Sequence, residues 1–280
     1  MEQPHPVLVT GSDGFIGGHI LRRIPGATAD TEASVKAILH QAANNDTLDM
    51  DESSMFAANV DYTRRLFEKH LDKGCEVFVF ASSTAVYGDG PAPYVESQEL
   101  RPLNPYARSK AAMEEWVFDW AKRKGVRAVG LRYCNVYGPF ECHKGRRAST
   151  IRHLIVQALR GETLKLFKDG SQKRDWVHVS DVVMANRLAL LNGEGVYNVG
   201  NGTATRFDDL ARCVLEATGS DKEIEYIDMP FDPARYQSYT ECDLTKIKKE
   251  VGYEPQVTVS AGVWTYTGWL RDKQLGIDPK

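Results

Sequence analysis

A doubly wound α/β fold, with a parallel sheet covered on both faces and a smaller second lobe, is predicted by three observations. Short continuous apolar runs alternate with helical segments along the first half. The first of these runs leads straight into a glycine-rich turn that opens a helix. The length of 280 residues accommodates one such domain with a smaller lobe attached.

The strand candidates in order are Val7-Leu8-Val9-Thr10, Val35 to Leu39, Val77-Phe78-Val79-Phe80 and Ala128 to Tyr133. Helices are placed between them near Phe15 to Ile24, Ser53 to Asp72 and Pro105 to Lys124, closed by Pro25-Gly26, Gly74 and Gly125. In the second half, helices are expected near Ala148 to Arg160, Val179 to Leu191, Phe207 to Ala217, Leu244 to Val251 and Ala261 to Asp272. Short strands are expected near Leu164 to Phe167, Val196 to Val199 and Ile224 to Ile227. Thr205-Arg206-Phe207-Asp208 reads as a helix entry with an acidic first turn, and Gly219 as its end. There is no internal repeat, low-complexity segment or flexible linker.

Hydrophobic residues at 42% and charged residues at 26% match ordinary globular chains, which removes collagen-like, disordered and coiled-coil readings. No apolar run approaches the length of a membrane span, and the mean hydropathy is -0.40. The N-terminal residues Met1 to His5 lack the basic-then-apolar order of a signal peptide, so a cytoplasmic location is expected. A net charge of -3 argues against broad nucleic-acid binding. Five scattered cysteines, without a CxxC pair, read as reduced thiols. Seven histidines show neither HxH nor HExxH spacing, so no metal site is expected.

The turn Thr10-Gly11-Ser12-Asp13-Gly14-Phe15-Ile16-Gly17 has glycines where a chain must turn tightly, bring backbone amides against a pyrophosphate and pack a helix close to a strand. A dinucleotide is the expected ligand. This turn resembles the TGxxGFIG motif of the extended short-chain dehydrogenase/reductase family, the NAD-dependent epimerases and dehydratases. His40-Gln41-Ala42-Ala43 resembles that family's HxAA segment beside the cofactor. The resemblance covers nearly the whole chain and implies a Rossmann-like domain binding NAD or NADP through Gly11, Asp13, Gly14, Phe15, Ile16, Gly17, His40, Ala42, Ala43, Ala81, Tyr106 and Lys110.

One departure is large. The full family fold has two strands and two helices between the glycine-loop helix and the HxAA strand, and a βαβ unit alone takes about 30 residues. Pro25 to Ser34 offers ten. The sheet is therefore expected to be shortened by about two strands, leaving the acidic residue that meets the ribose ~20 residues beyond the fingerprint without a strand tip. Asp30 and Glu32 are the substitutes within the shortened loop, the alternative being a solvated connector, and the choice of NAD or NADP stays open.

Tyr106-Ala107-Arg108-Ser109-Lys110 puts a tyrosine and a lysine on one helix face. A phenol with a pKa of about 10 is a poor base near neutrality. An ammonium about 4 Å away contributes about 4 kcal/mol toward ionising it at an effective dielectric of about 20. Tyr106 is then a candidate to take a proton from a sugar hydroxyl as hydride leaves. Ala81-Ser82-Ser83-Thr84-Ala85 resembles the family strand whose serine hydrogen-bonds the reacting oxygen, which maps to Ser83. Thr84 and Ala85 stand where sugar dehydratases carry an Asp-Glu pair, which disfavours loss of water.

Arg132-Tyr133-Cys134-Asn135-Val136-Tyr137-Gly138-Pro139-Phe140-Glu141-Cys142-His143-Lys144-Gly145 resembles the ADP-glycero-manno-heptose 6-epimerases within the family, which carry RYFNVYGP followed by His-Lys-Gly. Agreement continues through Lys173 to Val179, Gly195 to Gly202 and Arg235 to Thr240. The resemblance implies that Lys144 is a second acid/base opposite Tyr106, so that hydride leaves one face of a carbon and returns to the other without net redox change. It also implies substrate contacts from Ser83, Asn135, His143, Tyr236 and Gln237, and a role in lipopolysaccharide or cell-surface polysaccharide synthesis. Arg174 and Arg235 are assigned to the nucleotide diphosphate, because a guanidinium pairs bidentately with phosphate oxygens. For Lys144 and both arginines the alternative is a solvated surface cation. Phe140 stands where the family has arginine, and Cys142 where it has a small residue.

The expected division is a dinucleotide-binding domain of residues 1–139 and 176–200 and a nucleotide-sugar lobe of residues 140–175 and 201–280. The helices Ser53 to Asp72 and Pro105 to Lys124 resemble the family's dimer-forming pair, so a homodimer is expected. A 4-epimerase or a reductase on the same triad, and a non-catalytic module that senses the cofactor or nucleotide sugar, are the competing functions.

Overall fold

The computed structural model describes residues 4–47, 49–229 and 237–273, which form two compact units. The first comprises Met1–Tyr133, Val182–Val199 and Asp243–Glu254; the second comprises Cys134–Asp181, Gly200–Cys242 and Pro255–Lys280.

In the first unit, β1 (Val7–Thr10) runs into α1 (Phe15–Arg23), and a two-residue strand, β2 (Ala27–Thr28), follows. β3 (Ala37–His40) leads to α2 (Glu52–Phe56), a π turn over Ala57–Asp61 and α3 (Tyr62–Asp72). Next come β4 (Val77–Ser83), α4 (Pro105–Lys124) and β5 (Arg127–Tyr133). The six strands are all parallel in the order β2-β1-β3-β4-β5-β9, with β9 at Gly195–Val199. β1 and β3 are buried at every position, as strands covered on both faces must be.

The shortened connection is not strandless. Pro25 to Ser34 retains β2, paired alongside β1 through Val7↔Ala27 and Leu8↔Thr28. Asp30 stands two residues beyond it, so an acidic residue does follow a strand tip, contrary to the sequence expectation. Its Oδ1 accepts from the Glu32 amide at 2.9 Å, and the Glu32 carboxylate pairs with Lys69 of α3 and with Lys73, which caps the end of that helix.

α4 shows why its limits were legible. Asn104 accepts from the Ala107 amide at 2.9 Å, Pro105 opens the first turn, and Gly125 closes the helix at φ 68 in the left-handed region. Its inner face packs Met113, Val117 and Trp120 with Phe67 of α3 and Phe78 of β4. The rings of Phe78 and Trp120 meet edge to face at 4.9 Å.

The second unit holds a three-stranded sheet, β10-β8-β6, built from β6 (Asn135–Tyr137), β8 (Lys173–His178) and β10 (Ala204–Arg206). β7 (Leu164–Phe167) and β11 (Ile224–Ile227) form a separate parallel pair. α5 (Thr150–Leu159), α7 (Phe207–Thr218) and α9 (Val259–Asp272) share a core with Trp176 of β8, including Ile151, Ile155, Leu210, Val214, Val263 and Leu270. Gly262 is required here, because a Cβ would fall 1.9 Å from the Tyr137 hydroxyl. Arg206 occupies the cap of α7 without a side-chain cap bond and pairs instead with Asp208.

Residues 243–254, expected in the second lobe, count with the first unit. There α8 (Thr245–Val251) lies beside β9 and Lys246 Nζ donates to the Val196 carbonyl at 2.8 Å. The division also falls after residue 133 rather than 139.

His40 closes β3 in a fully enclosed position. Its Nδ1 lies 2.6 Å from Thr10 Oγ1 and its Nε2 lies 2.9 Å from Thr63 Oγ1, whose own proton goes to the Asn59 carbonyl at 2.7 Å. These partners select the neutral ring with the proton on Nε2. Burial, reinforced by the Lys110 ammonium, lowers its pKa from 6.5 to about 3. Between those values the unfolded chain takes a proton that the folded unit refuses, so stability falls as pH drops below 6.5. Urea midpoints measured across pH 3 to 6.5 should show a His40→Asn variant losing an acid dependence of about 1.4 kcal/mol per pH unit relative to the parent; parallel curves would refute this. Trp120→Ala should cost the first unit about 3–5 kcal/mol in the same assay.

Candidate active site

The glycine turn is shaped by close backbone contacts. Gly11 has φ 66, and a Cβ there would lie 2.7 Å from the Ala42 amide nitrogen. A Cβ on Gly17 would lie 2.1 Å from the Gly11 carbonyl oxygen, so only glycine lets α1 approach the turn. Gly14 caps α1 from an exposed position and donates its amide to the Gly11 carbonyl at 2.9 Å. Asp13 is exposed, Phe15 is buried edge-on to His19, and Ile16 is half-buried. This cradle suits a dinucleotide pyrophosphate: a tight turn at the carboxyl end of β1, with a helix N-terminus directed at it. Ala42, half-buried, backs the turn; its amide donates to Thr10 Oγ1 at 3.3 Å, while Ala43 is exposed.

β4 runs three residues beyond the predicted strand because β5 pairs along its whole length, ending in Ser82↔Arg132 and Ser83↔Tyr133. That extension carries Ser83 to the carboxyl edge of the sheet. Ser83 is extended, accepts from the Ala85 amide at 3.2 Å and hydrogen-bonds the Tyr106 phenol. Tyr106 and Lys110 lie on α4 one turn apart, and the Lys110 ammonium is 5.9 Å from the Tyr106 ring centroid. Lys110 Nζ donates to the Ala81 carbonyl at 2.8 Å.

The electrostatics differ from the sequence expectation. Burial raises the Tyr106 pKa, and the Ser83 hydrogen bond lowers it; the protein alone does not make the phenol acidic. Burial also lowers Lys110 to about 8, against the raising influence of Glu114.

The second unit holds the other candidates. Asn135 Nδ2 donates to the Asp175 carbonyl at 3.3 Å and to Thr240 Oγ1 at 3.4 Å. His143, exposed, and Lys144 lie in a 3-10 segment, Cys142–Arg147, interrupted at Gly145 with φ 54. Lys144 Nζ is 3.7 Å from Glu141 Oε2, with its side chain only 17% exposed. Burial lowers its pKa and Glu141 opposes the shift, so it is an enclosed amine rather than a solvated surface lysine. Phe140 adopts φ 70, rare for a residue with a side chain, and packs its ring 5.0 Å from Trp269. Arg174 is 9% exposed on β8, with its guanidinium 5.7 Å from the Phe207 ring centroid, again unlike a surface cation. Gln237 is half-buried, and Arg235 and Tyr236 lie outside the described residues.

Several supports were missed in the sequence. Asn59, on the π turn, donates to Ser109 Oγ at 2.9 Å and to the Asn44 carbonyl at 2.9 Å, tying the YxxxK helix to the segment after Ala43. Gln41, Asn186 and Tyr133 close a ring of hydrogen bonds of 2.8–3.0 Å beside Ala42. Glu141 is fully buried and accepts from the Ser149 amide and hydroxyl at 2.7 and 2.6 Å. Isolated Asn, Gln and Glu residues carry no spacing signal.

The cysteine expectation also needs correction. Cys134 and Cys242 form a disulfide; Cys75, Cys142 and Cys213 are free thiols. The paired sulfurs and the Asp175 carboxylate make the one cluster of metal-ligating types among the described residues. No helix among those residues is long and apolar enough to cross a membrane.

Comparison with known proteins agrees with this architecture. At 28% identity, the structure resembles the ADP-L-glycero-D-manno-heptose-6-epimerase of Helicobacter pylori with a TM-score of 0.86, covering 95% of this chain and 96% of that one. UDP-glucose 4-epimerase of Thermotoga maritima, solved with UDP-glucose, matches at 27% identity and a TM-score of 0.86, covering 96% and 99%. UDP-N-acetylglucosamine 4-epimerase of Methanobrevibacter ruminantium M1, solved with UDP-N-acetylmuramic acid, matches at 25% identity and a TM-score of 0.88, covering 98% and 100%. The family model for NAD-dependent epimerases and dehydratases matches residues 25–200, and the chain, with its parallel sheet and glycine cradle, belongs to that family.

Proposed function

We propose that this chain is an NAD(P)-dependent nucleotide-sugar epimerase acting by transient oxidation, with an ADP-heptose-like sugar inverted at carbon 6. The observation that supports it most is the enclosed amine of Lys144 over Glu141, since an epimerase needs a second proton carrier besides the tyrosine. The similarity to the Helicobacter pylori heptose epimerase favours the substrate. The two UDP-sugar 4-epimerases support the second reading, inversion at carbon 4 of a UDP-sugar.

Gly11, Gly14 and Gly17 would hold the dinucleotide, which would supply a hydride acceptor and donor and a positive charge. Tyr106 takes the proton of the reacting hydroxyl, with its phenol aligned by Ser83. The Lys110 ammonium, one helix turn along and fixed on the Ala81 carbonyl, would stabilise the phenolate only together with the positive charge of the bound dinucleotide. Lys144, its pKa lowered by burial, is the second proton carrier. Arg174 binds diphosphate oxygens, joined by Arg235, and Asn135, His143, Tyr236 and Gln237 orient the sugar. Residues in the first unit bind the dinucleotide and those in the second bind the nucleotide sugar. A homodimer through α3 and α4, a cytoplasmic location and a place in cell-surface polysaccharide synthesis complete the reading.

NMR of ADP-heptose incubated with the NAD(P)-loaded protein should show the carbon-6 epimer with no net NAD(P)H formed. Tyr106→Phe and Lys144→Met should each slow conversion by about 10²–10⁴-fold, with dinucleotide affinity unchanged in calorimetry. Full turnover in either variant removes that residue from its role, and conversion of UDP-sugars alone would replace the first reading by the second. Gly17→Ala should instead weaken dinucleotide binding more than about tenfold, because its Cβ displaces the Gly11 carbonyl; unchanged affinity would mean that the turn does not hold the pyrophosphate.

A further inference from the structure

The paired cysteines lie at the two ends of a small construction within the second unit. Cys134 directly precedes Asn135, the first residue of β6; Cys242 ends the segment 237–242, which runs beside β8. The bond spans 108 residues of sequence, and the cysteines are 6% and 2% exposed. Segment 237–242 is laid on β8 by two backbone hydrogen bonds, from the Lys173 amide to the Ser238 carbonyl at 2.9 Å and from the Thr240 amide to the Lys173 carbonyl at 3.1 Å.

Asp175 anchors the same corner. Its Oδ1 accepts from the Asn201 amide at 2.6 Å, and its Oδ2 accepts from the Gly202 and Cys242 amides at 3.0 and 3.2 Å. Gly200 leaves the sulfurs their room, since a Cβ there would lie 2.9 Å from Cys134 Sγ. Asn135 reaches across to Thr240, so the disulfide brackets both a candidate sugar-binding strand and the segment that carries Gln237.

We propose that Cys134 and Cys242 are a reversible thiol–disulfide modification site: oxidised, the pair fastens segment 237–242 to β6 and β8; reduced, it releases that segment. The oxidant is a low-molecular-weight disulfide. One cysteine thiolate attacks it, expelling one small thiol and leaving a mixed disulfide, and the second cysteine thiolate expels the other. Two S–H bonds and one small S–S bond are lost, one protein S–S bond forms, and two electrons pass to the small molecule, whose two thiols keep both protons. A dithiol reverses the sequence. Both sulfurs are buried, which restricts access to them, so exchange is slow compared with the half-buried Cys142 and Cys213. The Asp175 oxygens are already taken by three backbone amides, which favours an anchor over a metal ligand.

The test needs no assumption about the reaction catalysed, so it is separate from the assignment above. Protein treated with glutathione disulfide, then denatured and alkylated, should yield a cross-linked 134–242 peptide, with Cys75, Cys142 and Cys213 recovered either alkylated or singly glutathionylated; after dithiothreitol all five should label. Amide exchange of the peptide covering 237–242, read by mass spectrometry on the native protein, should accelerate by at least about tenfold on reduction and recover on reoxidation. Cys134→Ser should hold exchange at the reduced rate in both states, while Cys142→Ser keeps the response. Five reactive thiols after glutathione disulfide, one bound zinc per chain in native mass spectrometry, or exchange indifferent to reductant would each overturn the proposal.

Discussion

The ion pair between Glu114 and Arg132 is the constraint on which the carboxyl edge of the first unit's sheet depends. Both side chains are 5% exposed, and the Arg132 guanidinium takes both Glu114 oxygens, with Nη2 at 2.6 Å and Nε at 2.9 Å. Ser82 donates to the same carboxylate, and Arg132 donates to the Tyr87 hydroxyl, which donates in turn to Asn198. One network thus joins β4, β5, β9 and α4. A buried pair of this kind gains little net stability over apolar packing, but losing one partner strands the other's charge. Its effect here is positional: Ser82 adjoins Ser83, and Glu114 lies one turn beyond Lys110. The spacing between strand edge and helix that lets Ser83 reach Tyr106 is set by Ser82, Glu114 and Arg132, outside the Ser83–Tyr106 pair itself.

The protein's charge distribution follows from the same economy of buried ions. Lys110 is enclosed, Glu114 is the carboxylate that opposes its shift, and its own charge adds to the burial that keeps His40 neutral. Lys144 repeats the arrangement in the second unit with Glu141 as its partner. In both places an amine is desolvated beside one carboxylate, which brings its proton closer to exchange at physiological pH than a solvated lysine allows.

Much of this was legible in the sequence because local rules and tertiary packing agreed. Asn104, Pro105 and Gly125 delimit α4 by capping chemistry alone, and Gly11 and Gly17 announce a turn that no residue with a side chain can make. The strands β6, β8 and β10 were not predicted: their sequences mix charged, polar and aromatic residues, and only their mutual pairing makes strands of them. β2 is too short to carry a pattern. The buried Glu141, Asp175 and Asn59 were hidden for a different reason, since each is satisfied by partners off its own segment: Glu141 by Ser149, Asp175 by the amides of residues 201, 202 and 242, and Asn59 by Asn44 and Ser109. The Cys134–Cys242 bond is likewise invisible to spacing, because a separation of 108 residues leaves every pairing open.

The two-residue strand β2 has a consequence for the protein's life in a crowded solution. A sheet margin normally offers a ladder of unpaired amides and carbonyls to any extended stranger. Here the outermost rung is two residues long, and Val7, Leu8 and Val9 behind it have no exposed surface. The short connection that leaves β2 only two residues therefore also denies a template to foreign strands, and protects against edge-to-edge aggregation.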